Sequence, residues 1–269
     1  MILTDLHVHS TWSDGKNTLD EIAREACARG IRTLGFSDHV YAPYDVDCCM
    51  KRGMRGAYQR EVARLKELYR GRMDIRCGVE QDLFSDEPTD GYDYVIGAVH
   101  YLRIGGKYLT VDWKPELLLQ AADLLGDIYA AAELYYDEMA RVAEIPGCSV
   151  IAHFDLFRKL NRDGSLFDQD HPRYRSAWRK AADRLLLSGL PFEINTGAIS
   201  RGYQSDPYPD AEIIDYLAAR GARFLLGSDS HRKDTLLCDF DRQEKLAREK
   251  GLTLLRDIGE GGGPWNQNA

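Results

Sequence analysis

Apolar and polar positions along this chain fall into two rhythms that take turns from one end to the other. Short apolar runs recur at ILTDLHV, RTLGFS, DIRCGVE, DYVIGAV, SVIAH, PFEIN and ARFLLGS, and each reads as a buried strand. Between them apolar residues return every three or four positions. This spacing predicts helices over TLDEIAREACARG, YQREVARLKELYRG, a long stretch from Pro115 to Glu144, RYRSAWRKAADRLLLSG and DAEIIDYLAARG. Thr18 and Glu21 make a T-x-x-E capping box, and Gly30, Gly71, Gly189 and Gly221 stand just past helix ends, where a left-handed residue is wanted.

Short apolar strands alternating with helices predict an α/β fold with a parallel sheet, doubly wound or closed into a barrel. Seven strands fit a closed barrel, whose chemistry sits on the loops at the C-terminal ends of the strands. One domain is expected over residues 1–256. The glycine run in the last stretch carries no periodicity, so residues 257–269 are expected to form a flexible tail.

Composition narrows the choice of ligand more than the choice of fold. The chain has 269 residues, 44% hydrophobic and 29% charged, and no apolar run approaches the ~20 residues of a membrane span. Without a signal-like start, a cytoplasmic location is expected. A net charge of -8 argues against a nucleic-acid polymer and for a small ligand. The six cysteines show no C-x-x-C spacing, which removes zinc-ribbon and thioredoxin-like readings. Cys48 and Cys49 share a loop without a neighbouring base and are read as structural.

The histidines carry the chemical signal. Residues i and i+2 of a strand share a face, so His7 and His9 project together. Six of the seven histidines lie at predicted strand ends: His7, His9, His39, His100, His153 and His231. Asp14, Asp38, Glu80 and Asp229 occupy the same level, while His171 sits in a polar loop and is expected at the surface. Packing gives no reason for six strand ends to share one scarce residue type. Imidazole and carboxylate are ligands for Zn²⁺, Mn²⁺ and Fe²⁺, and nine candidates (His7, His9, Asp14, His39, Glu80, His100, His153, Asp229, His231) suit two or three divalent ions with a bridging carboxylate. Such clusters activate water and clamp phosphoryl oxygens, which makes phosphoester hydrolysis the leading reaction class.

The set HVHS, SDH, GVEQD, VIGAVH, IAHFD and GSDSH resembles the PHP (polymerase and histidinol phosphatase) superfamily, in order, from about Ile2 to Leu252. The resemblance implies a distorted, TIM-like (β/α)7 barrel with a three-metal cluster at its C-terminal face. It implies a first ion on His7, His9, Glu80 and Asp229, a second on Glu80, His100 and His153, and a third on Asp14, His39 and His231. IAHFDLFRKLN and FEINTGAISRGYQSDPYP are similar to stretches of monofunctional histidinol-phosphate phosphatases. There, arginines at the positions of Arg158 and Arg201 grip the phosphate, a task that suits the guanidinium fork. The expected substrate is L-histidinol phosphate, with Glu193, Asp82 and Asp155 as candidates at the mouth for its cationic end. His231, Asp229 or a metal-held water is expected to protonate the leaving oxygen. Alternatives are a PHP phosphoesterase acting on nucleotide monophosphates or another small phosphate, an amidohydrolase-type barrel, and a non-catalytic PHP module. The amidohydrolase type needs a lysine at a strand end, and no predicted strand here ends in one.

Overall fold

The computed structural model describes residues 2–258. Its elements, in chain order, are β1 (Thr4–Asp5), α1 (Leu19–Ala28), β2 (Thr33–Phe36), α2 (Arg55–Leu68), β3 (Asp74–Asp82), β4 (Tyr94–Ala98), β5 (Tyr101–Ile104), β6 (Lys107–Thr110), α3 (Pro115–Leu125) and α4 (Ile128–Met139). There follow β7 (Cys148–Ile151), α5 (Pro172–Leu186), β8 (Phe192–Asn195), α6 (Gly197–Ser200), α7 (Ala211–Ala218), β9 (Arg223–Gly227), α8 (Phe240–Lys250) and β10 (Thr253–Leu255). All seven expected strands are present. The predicted capping box closes α1 in both directions, with Thr18 Oγ1 accepting from Glu21 N and Glu21 accepting from Thr18 N.

Eight strands form one parallel sheet in the order β1-β2-β3-β4-β7-β8-β9-β10. The sheet curls until its C-terminal rim meets itself: Val8, beyond β1, bridges in parallel to Ser230, beyond β9. Asp5 reinforces this seam by accepting from the backbone N–H groups of Ser228 and Leu237. Alternate residues of the strands fill the interior, where Leu6, Tyr94, Ile96, Ala98, Val150, Ala152, Leu225 and Leu255 form one apolar cluster. Tyr94 plugs the barrel and donates to the carbonyl of Leu6 at 2.6 Å. Gly35 and Gly78 make room for it, since a Cβ at Gly78 would lie 2.1 Å from the ring.

The structure departs from the expectations at four places. An eighth strand, β10, is added at the sheet edge, so the seven-strand barrel is a curled sheet of eight. The antiparallel hairpin β5–β6 occupies a stretch read as connection. The long helix from Pro115 is two helices, because Gly126 takes φ 107 and Asp127 then caps α4 through Ala130 N. The expected tail begins with two held residues: Asp257 accepts from both Nη atoms of Arg76 at 2.7 and 2.6 Å, and Ile258 is buried. The rest of that tail, 259–269, lies outside the described residues. His171 caps α5 by accepting from Arg173 N and stacks on Tyr129.

Candidate active site

The bridge that closes the barrel also aims the first two histidines. His9 N donates to the carbonyl of Ser230 at 2.8 Å, and Ser230 N donates to that of His7 at 3.1 Å. Val8 is thereby packed into the apolar layer beneath α1, and its two neighbours in sequence turn to the opposite face, their rings 5.2 Å apart.

Glu80, on β3, is where the other strand ends converge. Its Oε2 lies 3.0 Å from His39 Nδ1, 3.2 Å from His7 Nε2 and 3.4 Å from His9 Nε2. Its Oε1 lies 2.9 Å from His153 Nε2 and 3.4 Å from His100 Nε2. Asp229 Oδ1 stands 3.3 Å from His9 Nε2, and Asp14 Oδ2 stands 3.1 Å from His231 Nε2. The nine expected ligands therefore share one wall. Their donor atoms come within 4.8 Å of one another in three groups: His7, His9 and Asp229; His39, Glu80 and His100; and His9, Asp14, His39 and His231. His9 and His39 thus each face two groups, while His153 reaches the cluster through Glu80.

The electrostatics of this wall fit cations. Buried polar atoms nearly always find hydrogen-bond partners, yet His7 Nε2, both nitrogens of His9, Asp14 Oδ1, Glu80 Oε2 and His153 Nδ1 have none among the described residues. Burial alone would raise the Glu80 carboxyl, but His39, His7 and His100 overcome it and hold Glu80 well below the usual range. Asp229 is likewise held ionised against burial by Arg201 and His7. Burial, with His231 and His39 close by, pushes His9 down to about 3, so this ring is neutral and free to offer a lone pair. Nitrogen and oxygen donors without thiolate suit Zn²⁺, Mn²⁺ or Fe²⁺.

A second layer of side chains fixes the first, and it includes residues expected to meet substrate. Glu193 is buried behind His7, accepting from its Nδ1–H at 2.6 Å, from His153 N at 3.0 Å and from Asn195 Nδ2 at 2.9 Å. Asp82 accepts from His100 N, Phe84 N and the Tyr44 hydroxyl. Neither lies at the mouth, and both act through the histidines they hold. Asp38 accepts from the backbone N–H and hydroxyl of both Ser10 and Ser13, setting the loop that carries Asp14.

Arg158 also requires correction. Only 5% exposed, it donates to Asp155 Oδ2 at 2.6 Å and to the carbonyl of Pro207, tying the loop after β7 to that before α7. Asp155 Oδ2 also accepts from Asp210 N in the same knot, while its buried Oδ1 has no partner among the described residues. Arg158 is absent from the cavity wall, and its neighbour Lys159 stands there instead. Leu156–Arg158 is a 3₁₀ turn, in which successive residues point a third of a turn apart. One residue of register therefore decides which cation meets the cavity.

That cavity, of about 210 Å³, opens over the cluster and is lined by seven of its nine members together with Arg201, Lys159, Asp112, Tyr203 and Leu156. Arg201 donates to Asp229 Oδ2 and to its carbonyl, both at 2.8 Å, and its Nη1 lies 3.0 Å from His231 Nδ1. The sequence reading missed Asp112, Lys159, Tyr203 and Leu156; the one signal for Asp112 is its place after the hairpin, which was itself unread. Cys48 is exposed as a residue, but partial loss of water around its thiol, with the Asp45 carboxylate beside it, pushes it up to about 12, far from a thiolate nucleophile.

A barrel with imidazoles and carboxylates gathered at its C-terminal rim defines a class of protein with a candidate metal centre at its strand ends. Residues 5–197 match the model of the PHP domain, and the chain belongs to that family. A protein of Deinococcus radiodurans named "Probable histidinol-phosphatase" is 30% identical, covering 93% of this chain and 94% of the relative. The histidinol-phosphatase of Bacillus subtilis is 26% identical over 85% of this chain and 93% of its own. Among solved structures, HisK of Listeria monocytogenes superposes with TM-score 0.77 at 15% identity, over 89% of this chain and 99% of its own. Histidinol phosphate phosphatase of Lactococcus lactis, complexed with zinc, L-histidinol and phosphate, gives TM-score 0.68 at 19% identity, over 94% of this chain and 95% of its own. Both support the fold.

Proposed function

We propose that this chain is a phosphomonoester hydrolase that converts L-histidinol phosphate and water to L-histidinol and phosphate, using two to three divalent ions held by His7, His9, Asp14, His39, Glu80, His100, His153, Asp229 and His231. The observation that carries the metal reading is the convergence of five imidazoles on the two oxygens of Glu80 beneath a small cavity. Full-length relatives named histidinol-phosphatase support the choice of ester. The chemistry the ions supply when bound is a lowered pKa for water and neutralisation of phosphoryl charge.

The side chains do the rest. Glu193 and Asp82 orient His7 and His100 so that the nitrogens facing Glu80 are the ligating ones. Arg201 and Lys159, both in the cavity wall, present N–H donors to the phosphate oxygens. Asp229, held ionised by Arg201 and His7, orients the attacking water by accepting a hydrogen bond from it. Both ring nitrogens of His231 are turned to Asp14 and Arg201, so a water in the cavity supplies the proton for the leaving oxygen. We propose a cytoplasmic location, a reading that six free cysteines support.

The test is a panel of phosphomonoesters offered to purified protein of known metal content. L-histidinol phosphate should show the highest kcat/KM. Preference for a nucleotide monophosphate would keep the hydrolase and replace the substrate.

A further inference from the structure

The wall of the cavity carries an ion pair of its own. Lys159 Nζ donates to Asp112 Oδ2 at 2.8 Å, and the Thr110 hydroxyl donates to Asp112 Oδ1 at 2.7 Å. The two side chains are 12% and 19% exposed, and both line the cavity. The pair is therefore largely shielded from water, and it opens only where each charge is given a new partner. The two partners are not equally held. Asp112 is anchored through Thr110, whereas the Lys159 ammonium has one carboxylate partner and the face of Tyr203, 5.1 Å away. Arg201 differs from both, since two of its nitrogens are committed to Asp229 and His231.

We infer that the Lys159–Asp112 pair is a recognition device for a dipolar substrate, opened by pair exchange: the phosphate takes Lys159, and the substrate's own ammonium or imidazolium takes the vacated Asp112. The inference rests on the reading of L-histidinol phosphate as the substrate, and it names the residues that select its cationic end. A phosphate ester without a cation would draw Lys159 away and strand a carboxylate in the wall, which disfavours its binding. A substrate with a cation replaces what it removes. The pair therefore discriminates by penalty as well as by attraction.

Calorimetric titration of the metal-loaded enzyme with L-histidinol and, separately, with inorganic phosphate tests this without turnover. Asp112→Asn should weaken L-histidinol at least tenfold and leave phosphate affinity at or above that of the wild type. Lys159→Gln should weaken phosphate at least tenfold and leave L-histidinol affinity at or above it. Metal content should match the wild type in both variants. Unchanged L-histidinol binding in Asp112→Asn, or equal loss of both ligands in either variant, would overturn the exchange while leaving the proposed substrate standing. Wild-type protein that binds phosphate but no L-histidinol would overturn the substrate, and the exchange with it.

Discussion

His7 donates its Nδ1–H to Glu193 across 2.6 Å, in a pair almost wholly shut away from water. A carboxylate can only accept, so this bond fixes which ring nitrogen carries the proton and leaves Nε2 aimed at Glu80 and Asp229. Glu193 also accepts from the backbone of His153 and so ties two strand ends together.

Glu193→Gln should therefore lower metal affinity by roughly 10- to 100-fold, the usual effect of removing such an outer partner. Competition against a chelator of known affinity measures it. Wild-type affinity would show that Glu193 does not orient the cluster.

Arg158→Ala should act on the fold. Removing the guanidinium leaves Asp155 buried and unpaired, which costs about 3–5 kcal/mol when one partner of such a pair is lost. Urea denaturation measures the loss. An unchanged midpoint with impaired phosphate binding would return Arg158 to the substrate-gripping role.

Glu138 supplies a pH dependence remote from the cluster. Its side chain is buried, with Oε1 accepting from Arg103 N and Oε2 unpartnered among the described residues, and burial pushes its pKa up to about 8. A carboxyl whose folded pKa is raised contributes stability that is fully present below its unfolded value near 4.5 and is lost as pH rises through about 8. Melting temperatures of wild type and Glu138→Gln should agree in acid, with the variant higher above pH 8. Parallel curves across that range would exclude the titration.

How far the sequence carried this reading follows from what each signal depends on. Strand ends were legible because apolar runs stop where histidines begin, and the i, i+2 rule alone pairs His7 with His9. The polar helix α8 was not, since it lacks the apolar periodicity that marks the others. Arg158 and Lys159 were indistinguishable because a 3₁₀ turn sets neighbours a third of a turn apart, and no local pattern says which of them meets the cavity. Glu193 and Asp82 were found as acids of the site region, but their depth is set by the curl of the sheet, which no local pattern encodes. Asp112 depended on a hairpin whose strands are four residues each, too short to stand out.

The most direct test of the account is to strip the protein of metal, reload it stepwise, and record ions per chain and phosphate released from L-histidinol phosphate on the same samples. Two to three transition-metal ions per chain are predicted, with hydrolysis rising only as the second is bound, and with Glu80→Gln losing both occupancy and turnover. Full activity at one ion per chain or fewer, or no hydrolysis at any loading, would contradict it.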